Sequence, residues 1–184
     1  MEDYYLEPLL DVISADNGRE MNHMRQFHTF PPLWTPESKI LILGSFPSVK
    51  SREQGFFYGH PQNRFWKLMA YLLKEEIPAT IEQKRSMILN HNIALWDVIE
   101  SCEIVGSSDS SIKDVKVNDL GMIVKNSQVR HVFANGGKSY EMYGKYGEAL
   151  TGIPAIKLPS TSPANAAFSL EKLAAEWGCI LEHL

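Results

Sequence analysis

Beyond residue 38 the apolar positions of this chain fall into short blocks with two distinct periods. Residues 39–44 carry Ile40, Leu41, Ile42 and Leu43 in an unbroken apolar run closed by Gly44, as expected of a strand buried on both faces. Over 64–74 the spacing changes: Phe65, Trp66, Leu68, Met69, Leu72 and Leu73 recur at helical intervals and predict an amphipathic helix. Thr80-Ile81-Glu82-Gln83 has the form of a capping box, which predicts a second helix to about residue 90. Further strands are predicted at 93–96, 129–134 and 155–158. Further helices are predicted from a cap at Asn118 through 125, over 139–150, and over 170–183, where Leu173, Trp177 and Ile180 share one face. Residues 1 to about 30 are polar and mixed in charge, with a short helix expected around 5–13. The chain is therefore read as an extension over 1–27 and one domain over 28–184.

Four short apolar strands separated by helical stretches imply right-handed crossovers and a parallel sheet covered on both faces. The predicted fold class is α/β, a three-layer α/β/α sandwich around a short, mainly four-stranded parallel sheet. In such sheets ligands gather outside the carboxyl ends of the strands. The loops after Leu43, Trp96, Ala134 and Leu158 thus become the places to look for chemistry.

Composition narrows the function classes. The 184 residues are 44% hydrophobic and 22% charged, ordinary globular values that argue against disorder or coiled coil. No apolar run reaches the roughly 18–20 residues of a membrane span, and the acidic start at Glu2 and Asp3 lacks the basic flank of a secretory signal. Cys102 and Cys179 form neither a CxxC pair nor a disulfide ladder; they are read as small buried residues in a reducing cytoplasm. The net charge of -4 argues against a protein that coats nucleic acid, but leaves room for an enzyme with a local basic footprint.

The first loop runs from Gly44-Ser45-Phe46-Pro47-Ser48 to Phe56-Phe57-Tyr58-Gly59-His60-Pro61-Gln62-Asn63. Three consecutive aromatics there either plug the core or await a flat ligand. Asn63 directly precedes a helix and is read either as its N-cap or as a functional amide. His60 has no second ligand at metal spacing and reads as a turn histidine satisfied by backbone. The fourth loop, Pro159-Ser160-Thr161-Ser162-Pro163-Ala164-Asn165, is stiff, polar and uncharged, fit to present N–H groups to phosphate or to be an ordinary turn. No P-loop, GxGxxG series or GxSxG elbow is present.

Taken together, Leu43 to Ser48, His60-Pro61-Gln62-Asn63-Arg64-Phe65-Trp66, Ala94-Leu95-Trp96-Asp97-Val98, Ala134-Asn135-Gly136 and Ser160 to Asn165 resemble the motifs of the uracil-DNA glycosylase superfamily. The Asn-Arg-Phe-Trp helix start resembles the mismatch-specific uracil/thymine glycosylases, and the full set is most similar to the hypoxanthine-DNA (DNA-deoxyinosine) glycosylase branch. The likeness covers about residues 28–184 and all four loops in order. One departure stands out. Many members carry a water-activating Asp or Asn between the Gly and Pro of the first motif, where this chain has Phe46. The hypoxanthine branch shares that absence, a nearby Asn is held to compensate, and Asn63 occupies the matching place.

The resemblance implies a monofunctional enzyme that extrudes a deaminated base, hypoxanthine first, and hydrolyses its N-glycosidic bond without metal or cofactor. Asn63 would orient the attacking water through its amide oxygen. Phe57 or Tyr58 would stack on the flipped base, Phe46 would line the pocket, and Asn135 would bond the base edge or serve as a turn residue. Ser48, Lys138, Ser160, Ser162 and Asn165 are expected at the DNA. Lys50, Arg52, Arg64 and Lys157 are read as further phosphate contacts or as plain surface charges. Asp97 is read as orienting the first loop or capping a helix. The chain is expected to be a cytoplasmic monomer whose partner is DNA with deaminated bases, with no membrane and no obligate protein partner. Competing readings are a uracil or broader glycosylase, a non-catalytic damaged-DNA-binding module of the same fold, and an unrelated small α/β hydrolase.

Overall fold

Two sheets carry the fold, and the larger is the one that the apolar runs foretell. In this computed structural model, which describes residues 24–184, the elements are β1 (Arg25–Phe27), β2 (Ile40–Gly44), α1 (Val49–Gln54), α2 (Phe65–Leu73), α3 (Ile81–Asn90), β3 (Ile93–Asp97), β4 (Ile99–Glu103), β5 (Lys113–Val117), α4 (Leu120–Lys125), β6 (His131–Asn135), α5 (Gly137–Met142), α6 (Glu148–Thr151), β7 (Ala155–Leu158) and α7 (Leu170–Trp177). The helix expected around 5–13 lies outside the described residues.

The main sheet has the order β3-β2-β6-β7, parallel throughout, within a three-layer α/β/α sandwich. Ile40, Leu41, Ile42 and Leu43 are all 0% exposed, as a central strand covered on both faces requires. Burying each such side chain stabilises the fold by roughly 1.5–3 kcal/mol. The edge at β3 is closed by Leu33, whose N–H and C=O pair with Leu95 at 3.0 and 2.8 Å. Registers such as Gly44↔Asp97, Leu43↔Ala134 and Asn135↔Leu158 bring the carboxyl ends of all four strands level. From β2 the chain moves to one side to form β3, then to the other to form β6. The crevice that parallel sheets open at such a switch point therefore lies above β2 and β6.

A second sheet, antiparallel with the order β1-β4-β5, was not expected from the pattern. Its strands are short and rich in charge, so their alternation is weak: β5 reads Lys113-Asp114-Val115-Lys116-Val117. Cross-strand pairs, Arg25 to Asp114 at 3.1 Å and Lys116 to Glu100 at 2.7 Å, join them instead. β1 falls at the end of the stretch read as an extension, and pairs Gln26 with Cys102.

Several boundaries also move. The helix expected over 139–150 is interrupted by a π-helical turn at Tyr143–Gly147, and the last helix tightens to a 3-10 form over Gly178–His183. Asn118 is not a cap: Asp119 caps α4, while Asn118 donates its side-chain N–H to the Asp97 carbonyl at 2.9 Å. The capping box of α3 is present, with Gln83 N–H donating to Thr80 Oγ1 at 3.2 Å and Thr80 N–H to Gln83 Oε1 at 3.2 Å.

Candidate active site

The first loop is built around a close approach. Gly44 ends β2 directly beneath Asp97, which ends β3: a Cβ on Gly44 would lie 2.2 Å from Asp97 Oδ1. Only glycine lets the two strand ends meet. Asp97 Oδ2 is hydrogen-bonded to His28 Nε2 at 2.8 Å, and both side chains are almost wholly buried. The first loop is tied to the next segment by Val98 N–H donating to Gly44 O and Ile99 N–H to Ser45 O. Among the described residues the Asp97 side chain caps no helix, the other role read for it, and its hydrogen bond goes to His28.

Past α1, Tyr58 adopts φ 52°, a left-handed backbone unusual for a bulky residue. Its ring stacks on Phe65 at 3.9 Å, and Trp66 Nε1 donates to the Phe57 carbonyl at 3.2 Å, which together hold the turn. Tyr58 Oη is buried without a hydrogen-bond partner among the described residues. Burial, then the Asp97 carboxylate, pushes its phenol well above the ordinary range against the opposing effect of Asn135, so it stays protonated. His60 accepts the Gln62 N–H at Nδ1 (3.2 Å), the backbone-satisfied turn histidine that the sequence suggests.

A cavity of about 300 Å³ opens above the carboxyl ends of the sheet. Its walls include Phe46, Ser48, Phe57, Tyr58, Asn63, Asn135, Ser160 and Ser162 from the expected set. Sequence reasoning gave no role there to Ser45, Ser107, Asp109 or Thr161, which also line it. No lysine is among these walls, and no three His, Cys, Asp or Glu residues converge as metal ligands among the described residues.

Asn63 Oδ1 accepts the Phe65 N–H at 3.0 Å, so the amide braces the start of α2 while lining the cavity; the helix cap position itself is Arg64. Asn135 is not a turn residue. It ends β6, and both ends of its amide are joined to Thr161: Nδ2 donates to Oγ1 and Oδ1 accepts the Thr161 N–H, each at 3.0 Å. Gly136, at φ 99°, makes the turn instead, with Ser160 Cβ 3.0 Å from where a side chain would start. Phe57 is 2% exposed and packs edge-on against Phe30, and Tyr58 gives a face to Phe65, so the aromatic run serves the core as well as the cavity.

Other expected contacts move away from the cavity. Lys138 and Asn165 are not among its walls: Lys138 pairs with Glu141 at 3.3 Å and Asn165 Nδ2 donates to the Ser160 carbonyl at 3.0 Å. Arg64, read as a phosphate contact, directs its guanidinium at the carbonyls of Thr161, Ser162, Asn165 and Phe168, pinning the fourth loop to α2. Arg52 donates to the Pro47 carbonyl at 2.6 Å and covers the Phe46 ring at 5.3 Å, and Lys50 pairs with Glu53. Ser48 Oγ accepts the Ser51 N–H as the cap of α1, and Ser160 and Ser162 accept the N–H groups of Ser162 and Ala164. Lys157 is exposed on the edge strand β7.

Residues 31–181 match the family model of the uracil DNA glycosylase superfamily. A protein of Methanosarcina acetivorans named hypoxanthine DNA glycosylase is 35% identical over 158 residues, covering 84% of this chain and 97% of the relative. A Methanosarcina barkeri protein of the same name is 36% identical over 114 residues, covering 61% and 72%. The solution NMR structure of a Methanosarcina acetivorans protein, titled as a candidate uracil DNA glycosylase, superposes with a TM-score of 0.74 at 33% identity, covering 87% of this chain and 98% of that one. The chain therefore belongs to the uracil DNA glycosylase superfamily.

Proposed function

We propose that this protein is a monofunctional DNA glycosylase that removes a flipped-out deaminated base, hypoxanthine first, and leaves an abasic site. The observation that carries the reading is the cavity at the β2/β6 switch point, walled by Asn63 and by the aromatic Phe46 and Phe57. At about 300 Å³ it stands at the lower end of small-molecule sites, room for one extruded base rather than a duplex. Relatives named hypoxanthine DNA glycosylase, at 35% and 36% identity, support the choice of base.

Breaking the N-glycosidic bond builds positive charge on the sugar and negative charge on the departing base, so the site has to orient one water behind C1′. Asn63 Oδ1 spends one lone pair on the Phe65 N–H and keeps a second for that water, its direction set by the helix it braces. Phe46 and Phe57 wall the base, and Ser160 and Ser162 face the sugar-phosphate strand. In this reading the nucleophile is water rather than an amine.

The test is to incubate the protein with duplexes carrying one hypoxanthine, uracil or xanthine and to look for alkali-labile abasic sites. Hypoxanthine release is expected, without strand breakage before alkali. Asn63→Ala is expected to fold and to lose roughly 10²-fold in single-turnover rate, the scale of one oriented catalytic contact. An unchanged rate with a lowered melting temperature would leave Asn63 only its brace on α2. Uracil release alone would reassign the substrate, and binding without release of any base would make the chain a damaged-DNA-binding module.

A further inference from the structure

We propose that Asp109, carried by the turn between β4 and β5, is the catalytic base that accepts the proton of the attacking water. This role rests on the glycosylase reading above. Among the described residues two carboxylates line the cavity, Asp97 and Asp109. Asp97 is committed to His28 and packed against Gly44, with its side chain 7% exposed, so it does not reach a sugar. Asp109 keeps solvent access at the cavity mouth. Ser45 Oγ donates to its Oδ1 at 2.8 Å, which ties the carboxylate to the residue before Phe46, and Phe46 and Asp109 line the same cavity. Among the described residues no hydrogen bond engages Oδ2.

The turn that holds Asp109 is docked on the first loop. Val49 N–H donates to Ser107 Oγ at 3.0 Å, and Ser111 Oγ receives the Val105 N–H at 2.9 Å and donates to the Ser108 carbonyl at 2.7 Å. Crowding by the surrounding protein pushes the Asp109 carboxyl above its usual range, opposed by the Ser45 hydrogen bond and Lys138, with Asp97 adding to the rise. A carboxylate so placed is a stronger base than a free one. In the step proposed, the C1′–N bond breaks with its electron pair leaving on the base, the water oxygen bonds C1′, and the water proton passes to Asp109 and then to solvent. The base anion takes a proton from solvent. Asn63 holds the water while Asp109 takes its proton.

Because the base form is the active one, activity should fall as pH drops through the Asp109 pKa, which lies above the free-aspartate value of about 3.9. The groups facing Asp109 are Lys138 on α5, Asp97 at the end of β3 with its partner His28, and Cys102 on β4; His60 shares the cavity. A pH limb that arises from any other group would survive removal of Asp109, and one that arises from Asp109 would not.

The experiment measures single-turnover base release from duplexes with hypoxanthine, uracil or xanthine across pH, with DNA affinity and melting temperature alongside. On whichever base the wild type releases, Asp109→Asn is expected to lose about 10²-fold in rate, to bind the duplex as tightly or more tightly, and to lack the acidic limb. Ser45→Ala should lose less and move the limb to higher pH, because the hydrogen bond that lowers the carboxyl pKa is gone. A wild type that releases none of the three bases overturns the proposed function and this role with it. An active wild type with an Asp109→Asn rate within threefold and an unchanged limb overturns the role of Asp109 alone. A variant whose binding and melting temperature fall together with its rate makes Asp109 structural and overturns it as well.

Discussion

At the scale of the single residue, the site depends on atoms that barely fit. Gly44 has no side chain because Asp97 Oδ1 occupies the place where one would begin. Gly44→Ala should drive the carboxylate off His28 and overpack the strand ends, a cost of about 1–3 kcal/mol. A lowered melting temperature together with slowed base release is the expected outcome, read by thermal denaturation and single-turnover assay. Unaltered melting would show that Asp97 can shift freely, against the geometry described. Asn63 and Asn135 illustrate how far a residue name reaches. Both were legible as site residues from their place at loop ends, and both line the cavity. The bond of Asn63 to the Phe65 N–H is local and follows from its place before the helix, whereas the bonds of Asn135 were not legible, because Thr161 lies 26 residues away. Asp109 was missed altogether, since nothing in its serine-rich segment distinguishes it from a solvated turn until Ser45, 64 residues away, is brought against it.

At the scale of the element, β2, β3, β6 and β7 announce themselves by apolar runs, and α3 by its capping box. The antiparallel sheet does not, because β1 and β5 have no buried position and β4 offers only the short run Ile-Glu-Ser-Cys-Glu. Arg64 shows the same limit in a loop. By sequence it is a cation near a DNA-binding motif; in the fold it is the bracket between α2 and the segment from Thr161 to Phe168. Arg64→Met keeps the apolar stem and removes the guanidinium, leaving carbonyl acceptors without their partner. The expected cost is about 2 kcal/mol or more of stability, with faster amide hydrogen exchange over 160–168 and slower base release. Protection unchanged in that loop would assign its order to its prolines and serine turns rather than to Arg64.

At the scale of the whole molecule, an acidic protein of pI near 5.9 has to meet a polyanion with few cations to spare. Near the cavity Lys50 and Lys138 pair with glutamates, and Arg52 and Arg64 bond carbonyls. Affinity for a damaged duplex should therefore fall only gently with salt, with a slope of log K against log salt no steeper than about −3; binding titrations at several salt concentrations measure it. A much steeper slope would reveal a phosphate-binding surface away from the mouth. Among the described residues no helix is long and apolar enough to cross a membrane. By itself the sequence determined the parallel sheet, four loops that reach the cavity and the family of the chain, because apolar periodicity and motif order are local properties of the chain. The tertiary structure alone decided which polar groups face the cavity and which are spent on holding it together. That division is made by contacts between segments far apart in the chain, such as Gly44 with Asp97, Asn135 with Thr161 and Ser45 with Asp109, and no local pattern encodes them.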